Sequence, residues 1–162
     1  MSAETITTAM FLITAVVASG VLINAIFPVI YQTAGTFSSS THASDVRLRT
    51  DFVIVTTFAN HGPPLSGQVW MKNIGSQPVS RDEIESSDVF FGKVGSFQRL
   101  DFRGGQWSYH ISDLNGNGYW DPGETLEIDM YTTDTSVATG GFVYYQFVLP
   151  DGIWRSVQFT AS

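Results

Sequence analysis

From Ala9 to Tyr31 the chain reads AMFLITAVVASGVLINAIFPVIY, without one formal charge. As a helix rising about 1.5 Å per residue, this run reaches roughly 35 Å, enough to cross a hydrocarbon core of about 30 Å. It is a membrane-span candidate. Thr14, Ser19 and Asn24 interrupt it mildly, because each can hydrogen-bond to backbone or to a neighbouring helix, and Pro28 falls near the end, where a helix tolerates disruption. A cleaved secretory signal would show a basic start, an apolar stretch of about 7 to 15 residues and a small-residue cleavage site. This run is longer and has no basic start, so we expect a retained transmembrane or assembly helix over residues 1–32. Ala15 and Ser19, like Thr14 and Ala18, stand four apart and form a flat stripe that would admit a second backbone closely. A solitary anchor in lipid fits the same stripe.

Charge separates the two ends of the chain. All 8 basic residues lie at or beyond Arg47, whereas the only acids before that point are Glu4 and Asp45. The ends are therefore suited to different solvents. With 43% hydrophobic and 14% charged residues the chain is too apolar for a disordered tail, and a formal charge of -7 argues against nucleic acid as a partner. The absence of cysteine removes disulfides, zinc–thiolate sites and thiol nucleophiles together.

Residues 33–48 are rich in small and hydroxyl side chains and read as a linker or a fraying helical stalk. From residue 49 to 162 short apolar segments alternate with turn signals. The candidate strands are 51–58, 67–73, 87–92, 97–102, 106–111, 125–131, 142–149 and 153–160, which together suggest an antiparallel β-sandwich. The clearest has Leu126, Ile128 and Met130 alternating with Thr125, Glu127 and Asp129. Trp107, Tyr109 and Ile111 repeat the scheme. Leu149, Pro150, Asp151 and Gly152 fit a type I turn and predict a hairpin of the last two strands. Arg81 to Glu85 (RDEIE) gathers carboxylates without liganding periodicity and reads as a solvated turn.

The most specific chemistry is Asp113 to Glu124, DLNGNGYWDPGE. Counted from Asp113 as position one, Asn115, Asn117, Tyr119, Asp121 and Glu124 fall at three, five, seven, nine and twelve, with Gly118 at six, which is the spacing of a calcium loop. A hard cation takes six to eight oxygens, so alternate side chains turn inward, glycine permits the sharp bend, Tyr119 offers its carbonyl and Glu124 can chelate with both oxygens. Strands rather than helices flank the loop, so we expect an EF-hand-like Ca²⁺ loop in a β setting. The bland alternative is a polar hairpin whose Asp and Asn side chains cap their own backbone. Three carboxylates imply extracellular affinity, about 10⁻⁴ to 10⁻³ M. If the loop holds the ion, the β-domain is expected outside the cell, against the weak opposite preference from Arg47 and Arg49.

Nothing in the sequence supports catalysis. His42, His61 and His110 are scattered and form no metal-binding pair, and no nucleophile elbow, phosphate loop or dinucleotide fingerprint occurs. Asp82 and Glu83, adjacent on an extended segment, would point to opposite faces rather than form an acid–base pair.

The uncharged amino-terminal helix, the Ser/Thr-rich junction and the segments RLRTDFVIV and VWMKNIGSQPV together resemble the archaellum accessory (stator) proteins of the FlaF and FlaG family. FlaG is the nearer, through MSAETITTAMFLI and TDFVIV. The Asp113–Glu124 loop is similar to loops of archaellins and archaeal pilins, which share the same plan. The resemblance implies a helix in the archaeal cytoplasmic membrane and an immunoglobulin-like sandwich in the pseudoperiplasm. It also implies partners in the other accessory protein and the surface layer, and a mechanical rather than enzymatic role. Exposed aromatics such as Tyr144 beside Trp154 would supply contacts. The alternative it leaves open is a homo-oligomeric filament subunit, helices in the core and sandwiches outside; Glu4 resembles the acidic residue of pilin helices.

Overall fold

A computed structural model describes residues 2–133 and 136–162, with side chains except those of Ser2, Val46 and 37–44. His42 therefore lies outside the described side chains. The chain divides into two compact units, Met1–Ser44 and Asp45–Ser162.

The first unit is helical. Helix α1 runs for 48 residues from Ser2 to Arg49, its last turn belonging to the second unit. Its most apolar 18-residue stretch, within Ala3–Thr36, has a mean hydropathy of 2.3, and the helix is long and apolar enough to cross a membrane. The hydroxyls that interrupt the apolar run are satisfied within the helix. Thr14 donates to the Met10 carbonyl at 2.8 Å, Ser19 to Ala15 at 2.8 Å and Thr33 to Val29 at 2.7 Å. Apolar side chains such as Phe11 and Val16 are exposed along its surface. The backbone stays helical through 33–48, where the sequence suggested a linker or stalk.

The second unit contains β1 (Phe52–Asn60), β2 (Leu65–Asn73), α2 (Arg81–Glu85), β3 (Asp88–Lys93), β4 (Ser96–Leu100), β5 (Trp107–Ser112), β6 (Thr125–Thr132), β7 (Phe142–Val148) and β8 (Trp154–Thr160). They form two four-stranded sheets, ordered β1-β2-β6-β5 and β4-β3-β7-β8, with every neighbouring pair antiparallel. Alternation explains the packing: along β6, Leu126, Ile128 and Met130 are buried while Thr125, Glu127 and Asp129 are half-buried on the outer face. Against them β7 buries Val143, Tyr145 and Phe147. The Tyr145 hydroxyl meets the Met71 sulfur at 3.6 Å between the sheets, and Phe52 packs edge-on to Phe147 with ring centres 5.6 Å apart. The Leu149–Gly152 hairpin is present, closed by the Gly152 N–H to the Leu149 carbonyl at 2.9 Å.

Two expectations fail locally. RDEIE is a helix, not a solvated turn. Ser80 caps it and accepts from the Glu83 N–H, the Glu83 carboxylate accepts from the Ser80 N–H at 2.7 Å, and Ile84 is fully buried. Asp82 and Glu83 accordingly sit on a helical turn, not on a strand. Nor is Tyr144 beside Trp154: in the β7–β8 register Tyr144 faces Gln158 and Trp154 faces Val148. Tyr144 instead stacks on Phe97, ring centres 4.4 Å apart, across Gly92 on the intervening strand.

Candidate functional site

The loop 113–124 joins β5 to β6 at one end of the first sheet. Its second half is pinned to the core. Trp120 is fully buried and pairs with Val79 through both backbone groups, at 2.8 and 3.1 Å, while its indole N–H donates to the Glu124 carbonyl at 2.9 Å. Asn73, also buried, donates its amide to the carbonyls of Trp120 at 2.9 Å and Gln77 at 3.0 Å. Its own carbonyl accepts from Gly123 at 2.8 Å. Arg81 at the start of α2 donates to the Gly118 carbonyl at 3.1 Å.

The first half is organised by its side-chain oxygens. Asp113 accepts from the N–H groups of Gly116 at 2.6 Å, Gly118 at 2.7 Å and Asn115 at 3.1 Å. These donors, that of Gly118 first, hold its carboxyl below the ordinary carboxylate value, so the group stays ionised. Asn115 Oδ1 accepts from the Asn117 N–H and Asn117 Oδ1 from the Tyr119 N–H, a run of Asx turns. Both asparagine amides donate to one oxygen of Asp121, at 2.6 and 2.7 Å. Glu124, buried, spans the loop mouth and accepts from Leu114 at 2.8 Å and from Asp121 at 3.0 Å. At position six, Gly118 has φ of +80°, and a Cβ there would stand 3.2 Å from the Arg81 side chain. The positive φ favours glycine there, whereas the flexible Arg81 side chain could yield.

Asn115, Asn117 and Asp121 are thus in direct contact, whereas Asp113 and Glu124 are occupied with backbone N–H groups. Among the described residues no three carboxylate or imidazole side chains converge in a way that could hold a metal ion. The donor set is nevertheless all oxygen, the kind a hard cation takes. Here those oxygens close the loop upon itself. Elsewhere His110 is exposed on β5, and His61 Nδ1 lies 2.6 Å from the Ser162 carbonyl at the chain end. Asn73 and Arg81, which support the loop from outside it, were not singled out by the sequence. The spacing rule looks only within the twelve positions.

Residues 2–159 match the archaeal-type flagellin family. A protein of Archaeoglobus fulgidus is 28% identical over 94% of this chain and 95% of its own length. The archaellum periplasmic stator protein FlaG from Sulfolobus acidocaldarius shares the fold at a TM-score of 0.53, 21% identical over 68% of this chain and 99% of that one. Its complex with FlaF gives 0.53, at 20% identity over 67% and 87%. The archaeal flagellum of Methanospirillum hungatei strain JF1 gives 0.61, at 14% identity over 92% and 91%.

Proposed function

Because the chain belongs to the archaeal-type flagellin family, we propose that it is a non-enzymatic structural component of the archaellum, held in the cytoplasmic membrane by α1 and presenting its sandwich outside as a stator. The observation that carries this reading is the joining of one lipid-compatible helix to one aromatic-cored sandwich. Torque needs a fixed part, and a close-packed double sheet transmits load because its core resists deformation. FlaG, with the same sandwich, is a stator protein of the archaellum and forms a complex with FlaF. A second accessory protein and the surface layer are the partners this reading assigns.

A second reading, a filament subunit with α1 in the core, has its own support. The filament structure matches 92% of the chain, a share too large to leave out α1, whereas FlaG matches 68%. Fractionation separates the two. A stator stays with the membrane and co-purifies with surface-layer protein after cross-linking; a filament subunit is recovered in sheared fibres.

For the Asp113–Glu124 loop the reading is a low-affinity Ca²⁺ site outside the cell. The carboxylates of Asp113, Asp121 and Glu124, the amide oxygens of Asn115 and Asn117 and the Tyr119 carbonyl would hold the ion, which would cross-brace the loop. The spacing and the ionised state of Asp113 support it. The inward-turned asparagine N–H groups must rotate for those oxygens to serve.

A further inference from the structure

The outer face of the β1-β2-β6-β5 sheet carries a hollow of about 340 Å³ that neither reading above uses. Strand register builds it. Phe58 on β1, Gln68 on β2, Asp129 on β6 and Ser108 on β5 stand in one row across the sheet, and Asn60, Ser66 and Tyr131 make the next. Their neighbours in sequence, Ala59, Gly67 and Met130, are buried, so both rows stand on the side away from the core. Beneath the hollow the Phe91 ring of the other sheet packs so close to Gly67 that a Cβ there would lie 2.8 Å from it, which makes the floor solid.

The lining combines two chemistries. Phe58 and Tyr131, both exposed, stand on strands separated by β2 and so about 10 Å apart across the sheet, a gap that takes one six-membered ring. Between those strands and the next the Gln68 amide donates to Asp129 Oδ1 at 2.7 Å, which fixes both side chains. Among the described residues, Asp129 Oδ2, the Gln68 amide oxygen and the Ser108 hydroxyl take no other protein partner. Nor does any basic side chain among those residues line the hollow, so an anion finds no counter-charge there.

We infer that the hollow binds a neutral pyranose sugar, free or at the end of a glycan. A pyranose has apolar C–H faces and a rim of hydroxyls that both donate and accept. The faces suit the rings of Phe58 and Tyr131, and the rim suits a carboxylate oxygen set among amides and hydroxyls. Asp129 is the strongest acceptor of the set, because a charged partner strengthens a hydrogen bond. A carboxylate between aromatic rings also attracts a compact ammonium ion. An ammonium, however, offers no acceptor to the amide N–H groups of Gln68 and Asn60, whereas a sugar hydroxyl does. The inference needs only the folded second unit and holds under either reading of the whole chain.

The test uses the full chain in a polyoxyethylene detergent, which carries no sugar, with the methyl pyranosides of glucose, galactose, mannose and N-acetylglucosamine. Saturation-transfer NMR should show at least one of them bound through its ring protons. Asp129→Asn should weaken that binding roughly tenfold, and so should Tyr131→Ala. Glu127→Gln, one row along the same face and outside the hollow, should leave it unchanged. A melting temperature near the parent's shows that each variant is folded, and the exposed Tyr131 serves where Asp129 does not tolerate change. The same sugar ending a trisaccharide distinguishes the sources: equal binding marks a glycan end, and its loss marks a free sugar. No saturation transfer to any of the four, binding that survives both Asp129→Asn and Tyr131→Ala, or capture of tetramethylammonium in place of every sugar would each overturn the inference.

Discussion

Gly75 lies against the carbonyl of Arg49 with no room for a side chain: a Cβ there would collide with that oxygen and stand 2.6 Å from the Asp51 nitrogen. The contact ties the end of α1 to the sandwich. The Arg49 carbonyl, which has no partner further along its helix, accepts from Ser76 at 2.8 Å and Gln77 at 3.3 Å, and the Gly75 N–H donates to Asp51 at 2.9 Å. Gly75→Ala should therefore destabilise the second unit by about 1–3 kcal/mol, read as a lowered melting temperature. Gly35→Ala, where a Cβ meets nothing within 4 Å, should cause no such loss.

Helix α2 is short and depends on its cap and its one buried side chain. Ser80→Ala should cost about 1 kcal/mol, and Ile84→Ala, which empties a fully buried position, about 2–5 kcal/mol. Chemical denaturation of the full chain measures both; equal costs would mean that Ile84 does not fix the helix to the core.

Calcium should raise the melting temperature, a chelator should lower it, and Asp113→Ala should abolish the response. No change with either addition leaves the loop as a self-capped hairpin. The pH dependence has a definite sign. The folded carboxyl of Asp113 titrates below its unfolded value, so folding favours the ionised form. That stabilisation is complete above the unfolded value, near 3.9, and is lost as pH falls through the lower folded one.

Tyr109 should resist alkali. Burial first, and then its 2.9 Å hydrogen bond to Glu85, push its phenol up to about 12. The folded state prefers the protonated phenol, so the stability it contributes is intact below the unfolded value near 10 and drains as pH rises towards 12. Ultraviolet titration should show Tyr109 ionising late and, in Glu85→Gln, earlier.

The sandwich was readable in the sequence because its strands alternate cleanly: the Leu126–Ile128–Met130 face is the face that is buried. Short strands between turn signals leave few other ways to hide that face. Pairing was not readable. Alternation says which side of β7 Tyr144 occupies, but only register decides that Gln158, not Trp154, stands opposite. The turn reading of 81–85 failed although the Ser80-x-x-Glu83 capping signature and Ile84 were in view, because the acidic side chains outweighed them. In the loop the spacing located the oxygens; whether they take N–H donors or a cation depends on amide rotations that spacing does not encode.

The central claim is that α1 is embedded while the sandwich faces outward, and a membrane-impermeant thiol reagent tests it most directly on single-cysteine chains in intact cells. Ser136→Cys should label at once and Ser2→Cys only after the membrane is opened. Labelling of Ser2→Cys in intact cells with Ser136→Cys protected, or recovery of both in the detergent-free soluble fraction, would contradict it.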